Sequence, residues 1–127
     1  MSQPSKKSIL LIDDDPLVLK TLSRLLEKCG YFVLCFENSV QAMEEMMMED
    51  FDLIISDIRM PEIDGIQTIR YFRESRAQIG KPDIPEILIT GYAKDFMDEA
   101  NKLKPQAVVH KPIDLNEFLE VVKECFK

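Results

Sequence analysis

The sequence predicts an α/β fold, a doubly wound five-stranded parallel sheet with five helices packed on its two faces. Three observations predict it. Five short, nearly continuously apolar segments alternate along the chain with five longer ones whose apolar residues recur at helical spacing. The short segments have the composition of strands buried on both faces, which only helices on either side can provide. Polar residues collect where four of these segments end, the edge at which open parallel sheets place their ligands.

Residues 8–12, "SILLI", form the first expected strand, and Asp15-Pro16 supplies an N-cap followed by a proline in the first helical position. Val18, Leu22, Leu25, Leu26 and Cys29 share one face of the helix that follows, and Gly30 is placed to stop it. "YFVLCF", 31–36, is aromatic and β-branched, hence the second strand. "ENS" then leads into helix two, in which Val40, Met43 and Met47 follow helical spacing. A thioether cluster could bind soft copper, but this spacing favours core filling. "LIIS", 53–56, is the third strand and ends at Asp57.

Asp64 is placed to cap a third helix with Ile66, Ile69 and Phe72 inward, followed by a polar loop, "SRAQIGKPDIP". "EILIT" makes strand four. A fourth helix from about Asp95 must end before Pro105, because the residue preceding a proline is driven out of helical geometry. "AVVH" makes strand five. "DLNE", 114–117, resembles a capping box and opens the last helix, with Leu115, Phe118, Leu119, Val122 and Phe126 on one stripe. Residues 1–7 are expected to be a flexible lead-in and 8–127 a single domain.

A net charge of -7 and a pI near 4.7 argue against binding nucleic acid through its phosphates. The apolar runs are too short to span a membrane and the N-terminus lacks a secretory apolar core, so a cytoplasmic location without membrane attachment is expected. Cys29, Cys35 and Cys125 make no C-x-x-C pair and are expected as reduced, packed thiols.

The strand ends carry the chemistry. Strand one runs into Asp13 and Asp14, strand three into Asp57, strand four into Thr90, and strand five into His110 and Lys111. Carboxylates converging on one crevice repel unless a cation neutralises them, and an all-oxygen donor set suits a hard divalent ion such as Mg²⁺. Lys111 and Thr90 add a fixed positive charge and a hydroxyl suited to phosphoryl oxygens. No glycine-rich nucleotide loop is present, so the phosphoryl group must attach otherwise. A carboxylate can itself be the nucleophile, and Asp57 lies between the acidic pair and the Thr/Lys pair. Each residue alone has a bland reading. Asp15 is a cap, and His110, without a second His or Cys nearby, makes a poor transition-metal site.

The stretches "LLIDDDP", "LIISDIRMPEIDG", "ILITGYA" and "VVHKPI", in this order and separation, resemble the receiver domain of bacterial two-component response regulators, chemotaxis regulators among them, over about residues 8–126. The resemblance implies a flavodoxin-like three-layer sandwich with strand order 2-1-3-4-5. It implies that Asp57 accepts the phosphoryl group and that Asp13, Asp14, Asp57 and the backbone carbonyl of Arg59 hold Mg²⁺, or Mn²⁺ in its place. Thr90 and Lys111 would contact the phosphoryl oxygens. The partner would be a histidine kinase or histidine phosphotransfer protein, and the domain would catalyse only its own aspartyl phosphorylation and slow dephosphorylation. Residues about 95–126 would form the surface for an output partner or for pairing of two receivers. One position departs from the pattern: Val108 stands where the family commonly has Tyr or Phe. The switch is therefore expected to be carried mainly by the loop 91–95, with Tyr92 as its moving aromatic or, as the alternative reading, a static surface residue.

Two other functions share parts of this pattern. Phosphatases of the haloacid dehalogenase type use an aspartate nucleophile with Mg²⁺, but Leu17 stands where they usually have Thr or Val, and the late acidic pair is missing. A flavin-binding electron carrier would need a phosphate-binding turn after strand one, where this chain puts three aspartates.

Overall fold

The computed structural model describes residues 6–47, 49–91 and 97–127. Strands β1 (Ser8–Ile12), β2 (Phe32–Phe36), β3 (Leu53–Asp57), β4 (Glu86–Thr90) and β5 (Ala107–His110) form one parallel sheet in the order β2-β1-β3-β4-β5. Helices α1 (Pro16–Lys28), α2 (Ser39–Met46), α3 (Gly65–Gln78) and α4 (Met97–Leu103) connect them, and α5 (Leu115–Cys125) follows the last strand. The expected fold, strand order and alternation are all present.

The strand period of two divides the core between two layers. Leu10, Ile12, Ile54, Ile58 and Leu88 face α2, α3 and α4, where they meet Ala42, Met46, Ile66, Ile69, Phe72 and Ala100. Ile9, Leu11, Leu53, Ile55, Ile87 and Ile89 face the opposite way, against Leu22 and Leu26 of α1 and Phe118 and Val122 of α5. This is the three-layer sandwich. The central strands are buried apart from Ser8 at the start of β1, whereas β2 and β5, at the edges, are only partly covered.

Helix ends follow local chemistry. Asp15 caps α1 by accepting the Leu17 N–H at 2.9 Å, with Pro16 in the first turn. Gly30 and Gly80, at φ 92° and 72°, close α1 and α3 with paired return bonds: Tyr31 N to Leu26 O and Gly30 N to Glu27 O, then Lys81 N to Arg76 O and Gly80 N to Ala77 O. Asp114 caps α5 by accepting the N–H groups of Asn116 and Glu117. The reciprocal capping box forms at Asp64 and Gln67, which opens α3.

Five details differ from the sequence reading. The loop expected from Ser75 begins later, because α3 continues to Gln78. There Arg76 is buried, with its Nε donating to the Pro82 carbonyl at 3.1 Å and its guanidinium 5.7 Å from the Phe51 ring, so a charge that looked loop-forming anchors the turn. In α2 the buried positions are Ser39, Ala42 and Met46, while Met47 is 49% exposed. Cys29 and Cys35 are exposed rather than packed, since Cys29 sits on the helix cap and Cys35 on the outer edge strand. On α1 the buried apolar set includes Leu19, with Val18 and Leu25 only partly covered. Leu115, expected on the inward stripe of α5, is exposed in the first turn beyond the sheet edge.

Candidate functional site

The site lies at the carboxyl ends of β1, β3, β4 and β5. β1 and β3 are adjacent, with Ile12 opposite Ser56, so the residues that follow them emerge side by side. Asp13 is fully buried and its N–H donates to the Phe36 carbonyl at 3.2 Å. Its Oδ1 accepts the Asp15 N–H at 2.9 Å, which holds the turn into α1. Asp57 closes β3 and is 4% exposed, whereas Asp14 is exposed at the rim. One carboxylate oxygen from each of the three lies within 4.8 Å of the others.

Lys111 enters from the end of β5, where its N–H donates to the Thr90 carbonyl at 2.8 Å. Its Nζ lies 3.5 Å from Asp57 Oδ2 and 3.6 Å from Asp13 Oδ2. Thr90 is buried at the end of β4, in register with the exposed His110. Arg59 is exposed in the loop after β3. Val108 packs against the core cluster on the α4 side of the sheet. Tyr92 and most of the loop 91–95 lie outside the described residues.

Burial and crowding set the protonation chemistry. Burial, then the neighbouring Asp13 charge, push the Asp57 carboxyl up to about 6, against the pull of Lys111. Burial likewise raises Asp13, opposed by its hydrogen bond from Asp15 and by Lys111. For Lys111, burial favours the neutral amine, yet the charges of Asp57 and Asp13 leave its pKa raised. Asp13 Oδ2 is buried without a hydrogen-bond partner among the described residues. A buried carboxylate oxygen left bare, inside an all-oxygen cluster one lysine cannot neutralise, fits a hard divalent cation.

Gly65 is a residue that the sequence reading missed. A Cβ there would sit 2.3 Å from the Asp57 carbonyl oxygen and 2.9 Å from Ile58 Cα. The first turn of α3 therefore rests directly on the backbone of Asp57, and Gly65 N donates to the Ile58 carbonyl at 2.8 Å. Ser56 Oγ donates to the same Asp57 carbonyl at 3.0 Å. The available signal was a glycine straight after a cap aspartate, a helix-opening position where a side chain normally costs nothing.

Comparison with known proteins agrees with this geometry. The family model described as the response regulator receiver domain matches residues 9–123. The chain belongs to the response regulator receiver domain family. This receiver domain is 34% identical to the response regulator receiver protein CpdR of Brucella abortus, over 93% of this chain and 95% of that protein. It is also 34% identical to the transcriptional regulatory protein ZraR of Klebsiella oxytoca over 92% of this chain, but spans only 26% of that longer protein. A solved CheY-like receiver domain from Methanospirillum hungatei superposes with a TM-score of 0.81 at 27% identity, covering 94% of this chain and 93% of the other. As a receiver, this is a signalling domain of two-component systems, a family that generally binds Mg²⁺ at an acidic pocket. Among the described residues no helix is long and apolar enough to cross a membrane.

Proposed function

We propose that this receiver takes a phosphoryl group from a histidine kinase or histidine phosphotransfer protein onto Asp57. The observation that carries the reading is Lys111 Nζ poised 3.5 Å from Asp57 Oδ2, within a cluster of three carboxylates too crowded to stand without a cation. Asp13, Asp14, Asp57 and the Arg59 carbonyl would hold Mg²⁺ or Mn²⁺. Such an ion supplies charge neutralisation for the carboxylates and for the incoming phosphoryl oxygens.

An Asp57 carboxylate oxygen attacks phosphorus while the P–N bond of the donor's phosphohistidine breaks, and the bonding electron pair stays on the imidazole nitrogen. Lys111 neutralises a developing oxygen charge and Thr90 offers its hydroxyl to another. Near neutral pH a carboxyl with a pKa of about 6 is largely ionised and thus nucleophilic. The only covalent chemistry proposed is this self-phosphorylation and its slow hydrolysis.

A groove of about 340 Å³, lined by Leu17, Val18, Thr21, Pro112, Ile113 and Leu115, opens beside Lys111. Leu17 and Leu115 stand exposed on it, at 70% and 41%. A protein donor reaching Asp57 from this side would cover them, which supports a docking role for the groove. Output would pass to a partner, or to a second receiver, through residues about 95–126. The acidic charge balance supports a protein rather than a nucleic acid as the target, in the cytoplasm. Residues 1–7 would serve as a lead-in to the receiver unit at 8–127.

The test is intact-mass analysis after treatment with a small acyl phosphate and Mg²⁺. One phosphoryl adduct is expected on the wild type and none on Asp57→Asn. An adduct that persists on Asp57→Asn overturns the assignment.

A further inference from the structure

Two hydroxyls are buried where α2 meets α3, in a seam otherwise filled by Ala42, Met46, Ile66 and Ile69. Ser39, the first residue of α2, is 1% exposed and Thr68, in the first turns of α3, is fully buried. Their oxygens are 2.6 Å apart, and Thr68 Oγ1 lies 2.7 Å from the Asp64 carbonyl. A carbonyl has no proton to give, so Thr68 donates to Asp64 and Ser39 supplies the proton between the two hydroxyls.

Apolar contacts between helices are non-directional and tolerate sliding, whereas a short buried hydrogen bond does not. The ends of this bond have consequences for the site. Ser39 lies three residues beyond Phe36, whose carbonyl holds the Asp13 N–H. Asp64 is the far anchor of the loop 58–64, whose near anchor is Ile58, with its N–H on the Ile89 carbonyl and its own carbonyl accepting Gly65 N. Arg59 sits inside that loop. Asp57 is held by the β3–β4 register and Asp13 by its N–H on the Phe36 carbonyl, whereas Arg59 lies in the loop, outside both strands.

We infer that Ser39 and Thr68 are positioning residues, a buried hydroxyl pair that locks the start of α3 to α2 and so holds the loop 58–64 in the shape that presents the Arg59 carbonyl to the metal. This rests on the reading of the acidic crevice as a Mg²⁺ site. The pair touches neither metal nor phosphoryl group, so it acts only through the loop.

Thr68→Val keeps the shape of the side chain and removes the hydroxyl; Thr68→Ser keeps the hydroxyl. Two readouts on the full chain decide the matter: amide hydrogen exchange of residues 58–64 without metal, and Mg²⁺ affinity from NMR titration. Thr68→Val is expected to speed exchange in the loop and weaken Mg²⁺ binding, each by about threefold to tenfold, the range one hydrogen bond controls, and Thr68→Ser to restore both. Lower thermal stability with unchanged loop exchange and unchanged Mg²⁺ affinity would overturn the inference, leaving the pair a plain packing feature. Should Thr68→Val not fold, Ser39→Ala, which leaves the Thr68–Asp64 bond intact, is held to the same two readouts. Should the wild type bind no Mg²⁺, the metal reading fails, and loop exchange alone then decides whether the pair holds the loop.

Discussion

Replacing Gly65 with alanine should damage stability and phosphorylation together, because the added methyl meets backbone, not a yielding side chain. The Cβ would lie 2.3 Å from the Asp57 carbonyl oxygen and 2.9 Å from Ile58 Cα. Ordinary contact begins about 1 Å further out, so the first turn of α3 or the end of β3 must move by that much. Overpacking of this kind costs about 1–3 kcal/mol. With an unfolding entropy of about 2 cal/mol/K per residue, that lowers the melting temperature of a chain this size by roughly 4–11 °C. A displacement of about 1 Å at a nucleophile can cost on the order of a hundredfold in rate. Thermal denaturation and the rate of phosphoryl incorporation from a small acyl phosphate at saturating Mg²⁺ test both halves. If Gly65→Ala melts within a degree of the wild type and is phosphorylated at the same rate, α3 does not bear on Asp57 as argued.

Three further outcomes are expected. The folded state binds the Asp57 proton more tightly than the unfolded chain, its pKa lying near 6 against an ordinary 3.8, so ionisation removes up to about 3 kcal/mol of stability as pH rises through that window. Asp57→Asn should therefore raise the melting temperature of metal-free protein at pH 8 but hardly at pH 4, and an equal gain at both would contradict the assignment. Glu86 is buried at the start of β4 and ion-paired with Arg73, whose Nε is 2.7 Å from Glu86 Oε2. Arg73→Leu should cost about 3 kcal/mol by denaturant titration, near the low end for a broken buried pair because Arg73 is partly exposed, and adding Glu86→Leu should recover most of it. Leu17→Glu, on a side chain 70% exposed, should leave phosphorylation by a small donor unchanged and slow transfer from a protein donor at least tenfold; equal rates from the protein donor would remove the groove from the docking surface.

How much could be read beforehand follows from what each feature depends on. Strand and helix identities were legible because periodicity and capping are local: Asp15-Pro16, Gly30 and Asp64 act on their own few neighbours. The convergence of Asp13, Asp14, Asp57 and Lys111 was legible too, since parallel strands bring their carboxyl ends to one edge. Misreadings arose where a residue's role is set across the fold. Met46 rather than Met47 turns inward, on the same face of α2 as Ser39, whose partner Thr68 lies 29 residues away in sequence. Arg76 read as loop because nothing local shows that Pro82 and Phe51 return to receive it. Gly65 was passed over because its neighbour in space is the backbone of Asp57, eight positions earlier.

The crowding of the carboxylates cannot be relieved by moving them apart. β1 and β3 are locked in register; Asp57 ends β3 and Asp13 follows directly on β1. Relief must come from protonation, from Lys111 or from a bound cation. Protonation of Asp57 reaches one half only at about pH 6 and, if Asp57 is the nucleophile as proposed, would remove it. Lys111 is shared at 3.5 and 3.6 Å between one oxygen of Asp57 and one of Asp13, too far for a short bond to either. On the proposed reading a divalent ion is the remedy at neutral pH. On the proposed reading, phosphorylation of Asp57 would then turn one negative charge into about two beside the same lysine, with the new charge on the phosphoryl oxygens. The Lys111 backbone is tied to Thr90 O, so its response is confined to the side chain, whose stem lies by Gly91. Drawing Nζ toward the new anion takes it from Asp13. The charge on Asp57 would thus be felt first at Lys111 and at Gly91, where the β4–α4 connection begins.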